Sequence, residues 1–231
     1  MLQTRTRRQS SRRQTTSTLA SSSAVGAARA TRLWPAMLQR VADRAAHELK
    51  NPLNGAVLNV EVVRQRVQRS GTDASTLVPY AEAAASELTR AAVLVDALLA
   101  LARPAHAPVD FVSVLDPLVT LYGAIAAQSG GEVHLEWAQD GALESEIDPD
   151  AVRAVLAAAL DAAVADVCVR CRVERRGEHC AVSIRCAGRD IALPATIRRA
   201  MAHDGITLSD VPTGVEILFP RVMRGSTDGA E

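Results

Sequence analysis

The stretch His47-Glu48-Leu49-Lys50-Asn51-Pro52-Leu53 places an imidazole beside a carboxylate, with a side-chain amide four residues on. A neutral imidazole has one unprotonated ring nitrogen near physiological pH and can attack an electrophilic phosphorus. Glu48, next in sequence, is suited to hold the ring's tautomer and accept its proton. Asn51 carries both a donor and an acceptor, enough to orient a water for the reverse, hydrolytic direction. On a helix His47 and Asn51 are one turn apart on a single face. Pro52 removes a backbone donor and crowds the turn before it, so a kink is expected beside the imidazole. A lone helical histidine is usually a surface residue without chemistry. The weight here lies on the combination, and on the elements that carry it.

From Leu33 to about Arg69 little except Pro52 interrupts a helical pattern. Leu49, Leu53, Ala56 with Val57, Val60, Val63 and Val67 recur at steps of three and four, giving an apolar stripe from which His47 points away. Ser70-Gly71-Thr72-Asp73 supplies turn chemistry. A second periodic run, Leu77, Tyr80, Ala84, Leu88, Ala91, Val95, Leu98 and Ala102, ends at Arg103-Pro104. Two such helices form an antiparallel hairpin whose apolar stripe is wide for one partner. A second copy is therefore expected, in a dimeric four-helix bundle, with packing inside the same chain as the other solution.

Beyond the linker Ala105-His106-Ala107-Pro108 the texture changes. Helices are predicted over 111–129, over 150–164 behind Asp148-Pro149, and near 194–203, with strands over 133–137, 167–174, 180–186 and 215–219. The fold class is thus α plus α+β, with residues 1–32 as a disordered basic tail, 33–104 as the hairpin, 110–222 as an α/β sandwich and 223–231 as a polar tail.

The 26 basic and 26 acidic residues balance, so the overall field selects neither nucleic acid nor an acidic partner. Residues 1–42, however, hold eight arginines and no acid. They are expected to be a solvated tail, with a targeting signal or a contact with a membrane surface or nucleic acid as alternatives. No apolar run is read as reaching the about 20 residues of a membrane span, and a cytoplasmic chain is expected. Cys168, Cys171, Cys180 and Cys186 crowd one region without a secretory signal, which favours free thiols. Cys168 and Cys171 have zinc-finger spacing, but the alternation of Val169, Cys171, Val173 and of Val182, Ile184, Cys186 reads as core side chains of a β-hairpin, so no metal site is assigned.

His47-Glu48-x-x-Asn51-Pro52-Leu53 on the first of two antiparallel helices resembles the phosphoacceptor box of two-component histidine kinases. The resemblance covers 36–103 for the dimerisation and phosphotransfer (HisKA-type) domain and, more weakly, 110–222 for the GHKL/HATPase-like ATP-binding domain. It implies that His47 is phosphorylated, that Glu48 is its acid/base partner and that Asn51 assists dephosphorylation of a partner. It also implies two asparagines that hold Mg²⁺ and phosphates, at positions occupied here by Ala158 and Ala162. The family's Asp-x-Gly-x-Gly, whose aspartate reads adenine, is replaced by Cys186-Ala187-Gly188-Arg189-Asp190, keeping only Gly188. A methyl offers Mg²⁺ no oxygen, a thiol is a poor acceptor and Asp190 brings negative charge to a nucleotide. No phosphate-cradling lid is visible between 192 and 212. The expected chain is a homodimer with a degenerate, ATP-free kinase-like domain. His47 would exchange phosphate with the aspartate of a response-regulator receiver domain, and the receiver would bring the Mg²⁺. Two alternatives stay open: a kinase that autophosphorylates His47 from ATP, and a non-enzymatic scaffold or antagonist of a response regulator.

Overall fold

The structure is a computed structural model that describes residues 7–69, 73–138, 143–165 and 168–221, with the backbone alone over 7–32. Residues 1–6 of the basic segment, the Ser70-Gly71-Thr72 turn and the tail 223–231 lie outside the described residues. Helix α1 spans Arg7–Val67 and α2 spans Val78–Ala102, the latter preceded by a 3₁₀ turn at Ala74–Thr76 that Asp73 caps through Ser75. The described backbone of 7–32 belongs to α1. That segment contains no proline and a single glycine, and its alanines at 20, 24, 27, 28 and 30 favour helix. α1 runs unbroken through both Pro35 and Pro52. Each proline removes one hydrogen bond from the ladder, and a long packed helix tolerates the loss.

The hairpin seam contains many alanines, while several larger apolar residues face out. Val41, Ala45, Glu48, Pro52 and Ala56 form the buried stripe of α1, and Ala84, Ala91, Leu94, Ala97 and Leu101 that of α2. Leu53, Val57, Val60 and Val67, read from the sequence as one side of the core stripe, are exposed, as are Leu88 and Val95 of α2. Helix axes approach closely where side chains are small, so the alanines take the intrachain seam and the larger residues are left facing out.

The second layer comprises β1 (Val109–Asp110), α3 (Phe111–Gln128), β2 (Glu132–Trp137), β3 (Glu144–Ser145), α4 (Pro149–Ala163), β4 (Cys168–Arg176), β5 (His179–Cys186), α5 (Ala195–His203), β6 (Thr207–Val211) and β7 (Gly214–Pro220). The main sheet has the order β2-β4-β5-β7-β6, parallel between β2 and β4 and antiparallel elsewhere, while β1 and β3 pair separately. The β4–β5 register sets Val169 opposite Cys186, Cys171 opposite Ile184 and Val173 opposite Val182. All six are buried, as the alternation predicts. Asp148 caps α4 by accepting from the Asp150 amide, and Asp110 caps α3 by accepting from that of Val112. The strand β6 escapes the sequence reading because Thr207-Leu208-Ser209-Asp210-Val211 has no clean alternation.

α3 carries a correction of its own. Its 18 residues have a mean hydropathy of 1.4, long and apolar enough by length and composition to cross a membrane. Here Phe111, Leu115, Leu118, Leu121 and Tyr122 lie in the core, with Phe111 packed edge to face on Phe219 at 4.9 Å between centroids.

Candidate functional site

The phosphoacceptor-like stretch sits midway along the described side chains of α1. His47 and Asn51 are both exposed and share a helix face, so the structure keeps the pairing that the spacing predicts. Glu48 does not join them. It is only 7% exposed, it belongs to the inward stripe, and its Oε2 has no hydrogen-bond partner. Successive helical residues point about 100° apart, so the carboxylate beside His47 in sequence is turned into the hairpin. The expected contact between Glu48 and the ring is not made in this arrangement. Pro52 follows Glu48 in the same stripe and leaves the Glu48 carbonyl without its helical donor.

One turn before His47 lies a charged cluster that sequence reasoning missed. Arg44 meets Asp161 of α4 at 2.8 Å, Arg40 lies 3.8 Å from the same carboxylate, and the Tyr122 hydroxyl lies 3.4 Å from it. Tyr122 also donates to the Ala157 carbonyl at 3.1 Å, and its burial, with the Asp161 charge beside it, drives the phenol pKa far up. Farther along the same two helices, Arg153 donates to the Arg103 carbonyl at 3.0 Å and lies 5.7 Å over the Trp34 ring. Its pKa is lowered chiefly by burial. The only signals for these residues in the sequence are charges placed inside an alanine-rich helix.

The residues aligned with the family's nucleotide site are occupied by contacts within the chain. Ala158 is buried and Ala162 half-buried, and neither side chain has an atom that could bind a cation or a phosphate. The Ala162 carbonyl accepts from Arg189 at 2.5 Å. Cys186 is buried, with its Sγ 3.7 Å from the Ala163 carbonyl, and Asp190 accepts from the Thr213 amide at 3.1 Å. A cleft of about 660 Å³ is lined by Asp190, Leu193, Arg198, Asp210 and Pro212 among others, and a separate pocket of about 260 Å³ by Cys168, Arg170, Arg185, Cys186 and Thr213. Neither is lined by Ala158 or Ala162, and an ion pair between Arg198 and Asp210 spans the first. Gly214 opens β7 for a steric reason, since a Cβ there would collide with the Ile184 carbonyl. Ala158, Ala162 and Cys186 thus bring no side-chain oxygen to these positions. No disulfide joins Cys168, Cys171, Cys180 and Cys186, and among the described residues no group of three or more His, Cys, Asp or Glu is placed to hold a metal ion.

Residues 37–107 match the family of the His Kinase A (phospho-acceptor) domain. No curated protein matches the sequence. Among solved structures, the chain is similar to the Acinetobacter baumannii histidine kinase AdeS at 16% identity and a TM-score of 0.41, covering 75% of this chain and 97% of that one. It is also similar to a structure described as a bacterial phosphotransferase, at 12% identity and a TM-score of 0.44, covering 80% and 94%. A third is the histidine kinase ThkA in complex with the response regulator protein TrrA, at 17% identity and a TM-score of 0.36, covering 84% and 64%.

Proposed function

We propose that this chain, whose residues 37–107 form a HisKA-type phospho-acceptor domain, works in two-component signalling by exchanging a phosphoryl group between His47 and the aspartate of a response-regulator receiver domain. In the accepting direction the unprotonated His47 nitrogen attacks the aspartyl phosphate. An N–P bond forms, the acyl-phosphate P–O bond breaks and the receiver aspartate leaves as a carboxylate. The other ring nitrogen keeps its proton through the transfer. Asn51, one turn away on the same face, orients a water when the phosphoryl group is to be hydrolysed instead. The receiver brings the Mg²⁺ that neutralises charge on the transferring group. Positioning and charge neutralisation dominate such transfers, so an exposed histidine on a rigid helix is sufficient on this side.

The observation that carries this reading is the contrast between an exposed His47 and a second domain whose Ala158, Ala162 and Cys186 offer a nucleotide no ligands. A homodimer belongs to the same reading. Leu53, Val57, Val60, Leu88 and Val95 remain exposed on the hairpin, in the pattern that a second hairpin would cover. Glu48 as acid/base partner requires a side-chain position other than the buried one described above.

The test uses a receiver domain phosphorylated with ³²P. Label is expected on the wild-type chain and none on His47→Ala, a loss of at least about 10³-fold. Equal labelling of the variant would sink the assignment. Labelling of His47 from ATP and Mg²⁺ without any receiver would instead establish the autokinase.

A further inference from the structure

Every residue of α4 from Ala151 to Leu160 is buried. A helix laid on a sheet normally keeps an exposed face, so burial all round means a second layer on the far side. That layer is α1, which packs along α4 and also touches α3 and α5. Arg153, Ala157 and Asp161 recur at steps of four, with Ala154 and Ala158 beside them, and so share a face of α4. Both charged members of this face reach the hairpin. Arg153, 5% exposed, binds the Arg103 carbonyl at the end of α2 and covers Trp34 of α1, itself 5% exposed. Asp161 binds Arg44 and Arg40 of α1, with Tyr122 of α3 behind it. The alanines between them are small enough for a close approach of the two helices.

The sign of Asp161 is informative. It lies in the last turn of α4, where the helix dipole disfavours an acid. Its stabilisation must therefore come from the arginines of α1. Removing the domain from α1 would uncover Trp34, Met37 and the alanine face of α4, and would leave Arg153 without its carbonyl.

We propose that α4 has become a docking helix, so that the α/β domain is clamped to α1 and does not swing. Asp161 is the positioning residue that fixes the domain one helical turn from His47, since Arg44 precedes His47 by three residues. An incoming receiver then meets a composite surface, part hairpin and part α/β domain. This last consequence rests on the phosphoryl-exchange reading; the clamp does not.

The experiment uses the full chain carrying Trp137→Phe, which leaves Trp34 as the only tryptophan of the two. Acrylamide quenching of Trp34 is expected to be at least about fivefold weaker than that of a free tryptophan derivative, as a permanently docked domain requires. Asp161→Lys suits the helix dipole but brings three cations together, and is expected to raise Trp34 quenching at least about threefold. In the transfer assay the same change should raise KM for the phosphorylated receiver about tenfold and leave the saturating rate within about twofold. The triple variant R40E/R44E/D161K should restore both values.

Ready quenching of Trp34 in the parent chain overturns the clamp. So does unchanged quenching in Asp161→Lys, or failure of the triple variant to restore it. Should Asp161→Lys unfold the α/β domain, as its circular dichroism would reveal, Arg44→Glu decides by the same quenching thresholds, because Arg44 lies outside that domain. If no transfer occurs even in the parent, the phosphoryl-exchange reading fails while the quenching result still decides the clamp.

Discussion

The helical hairpin and the α/β domain treat their apolar residues in opposite ways. In the hairpin Ala45, Ala56, Ala84, Ala91 and Ala97 hold inward positions, while Val57 and Leu58 stand 66% and 68% exposed. In the α/β domain Phe111, Tyr122, Leu156, Ile184 and Phe219 are fully buried, and α4 is closed on both sides. Exposed apolar surface of this extent marks contact with another molecule, whereas an inward-closed core marks a finished body. The polar chemistry divides along the same line. The hairpin keeps an accessible imidazole and amide, while the α/β domain uses its charged residues to hold itself to the hairpin.

The comparison is broken first at the cores. Phe219→Ala should destabilise the chain by about 3–5 kcal/mol in denaturant titrations, whereas Val57→Ala should cost under about 0.5 kcal/mol within a chain and show itself instead as weaker self-association in sedimentation. Similar losses of stability from both would erase the distinction between finished and unfinished surfaces. A smaller effect is expected at Ala158 of α4. Ala158→Asn buries an amide without a prepared partner, and should cost about 1–3 kcal/mol while producing no saturable nucleotide binding by calorimetry. Appearance of such binding would show that a single methyl separates this domain from an ATP site.

Glu48 offers a finer probe, because it is the buried acid in the hairpin's apolar stripe and has an oxygen without a partner. Glu48→Met should raise stability by about 1 kcal/mol, the reverse of the usual effect of a buried substitution. A loss of stability would mean that the carboxylate has a partner in the assembled protein. The smallest expected effect concerns the thiols. Burial pushes Cys171 and Cys180 up to about 12, and both stay protonated as long as the pH is below that value. At pH 8 the half-buried Cys168 should therefore be the first to alkylate in the native chain, with all four reacting only in denaturant. Early modification of Cys171 would contradict the closed core.

Legibility followed the kind of signal each element sends. The hairpin and the β4–β5 pair were legible because long periodic runs leave little doubt about period, and Asp148-Pro149 announced α4 because capping chemistry is local. Two-residue strands such as β1 and β3 are too short to show alternation, and β6 blurs it with Ser209 and Asp210. The hairpin stripe was legible in part: Ala56, Ala84 and Ala91 are buried as its periodicity places them, while Leu53, Val57, Val60, Val67, Leu88 and Val95 stand exposed. Close helix packing favours the smaller members of the stripe, together with Ala45, which the periodicity did not include. The inward turn of Glu48 was missed for another reason: its place beside His47 in sequence was read as contact, although successive helical residues point about 100° apart. Arg44, Arg153 and Asp161 carried no motif at all, because their roles exist only between elements distant in sequence.

The residues capable of chemistry, their spacing on one helix and the identity of Ala158, Ala162 and Cys186 belong to the sequence, because they depend on side-chain identity and on local backbone geometry alone. The side to which Glu48 turns, the closure of α4 beneath α1, and the pairing of Asp161 with Arg44 over 117 positions of chain belong to the tertiary structure. They are fixed by which surfaces bury each other, a quantity set by the packing of whole elements that no local pattern encodes.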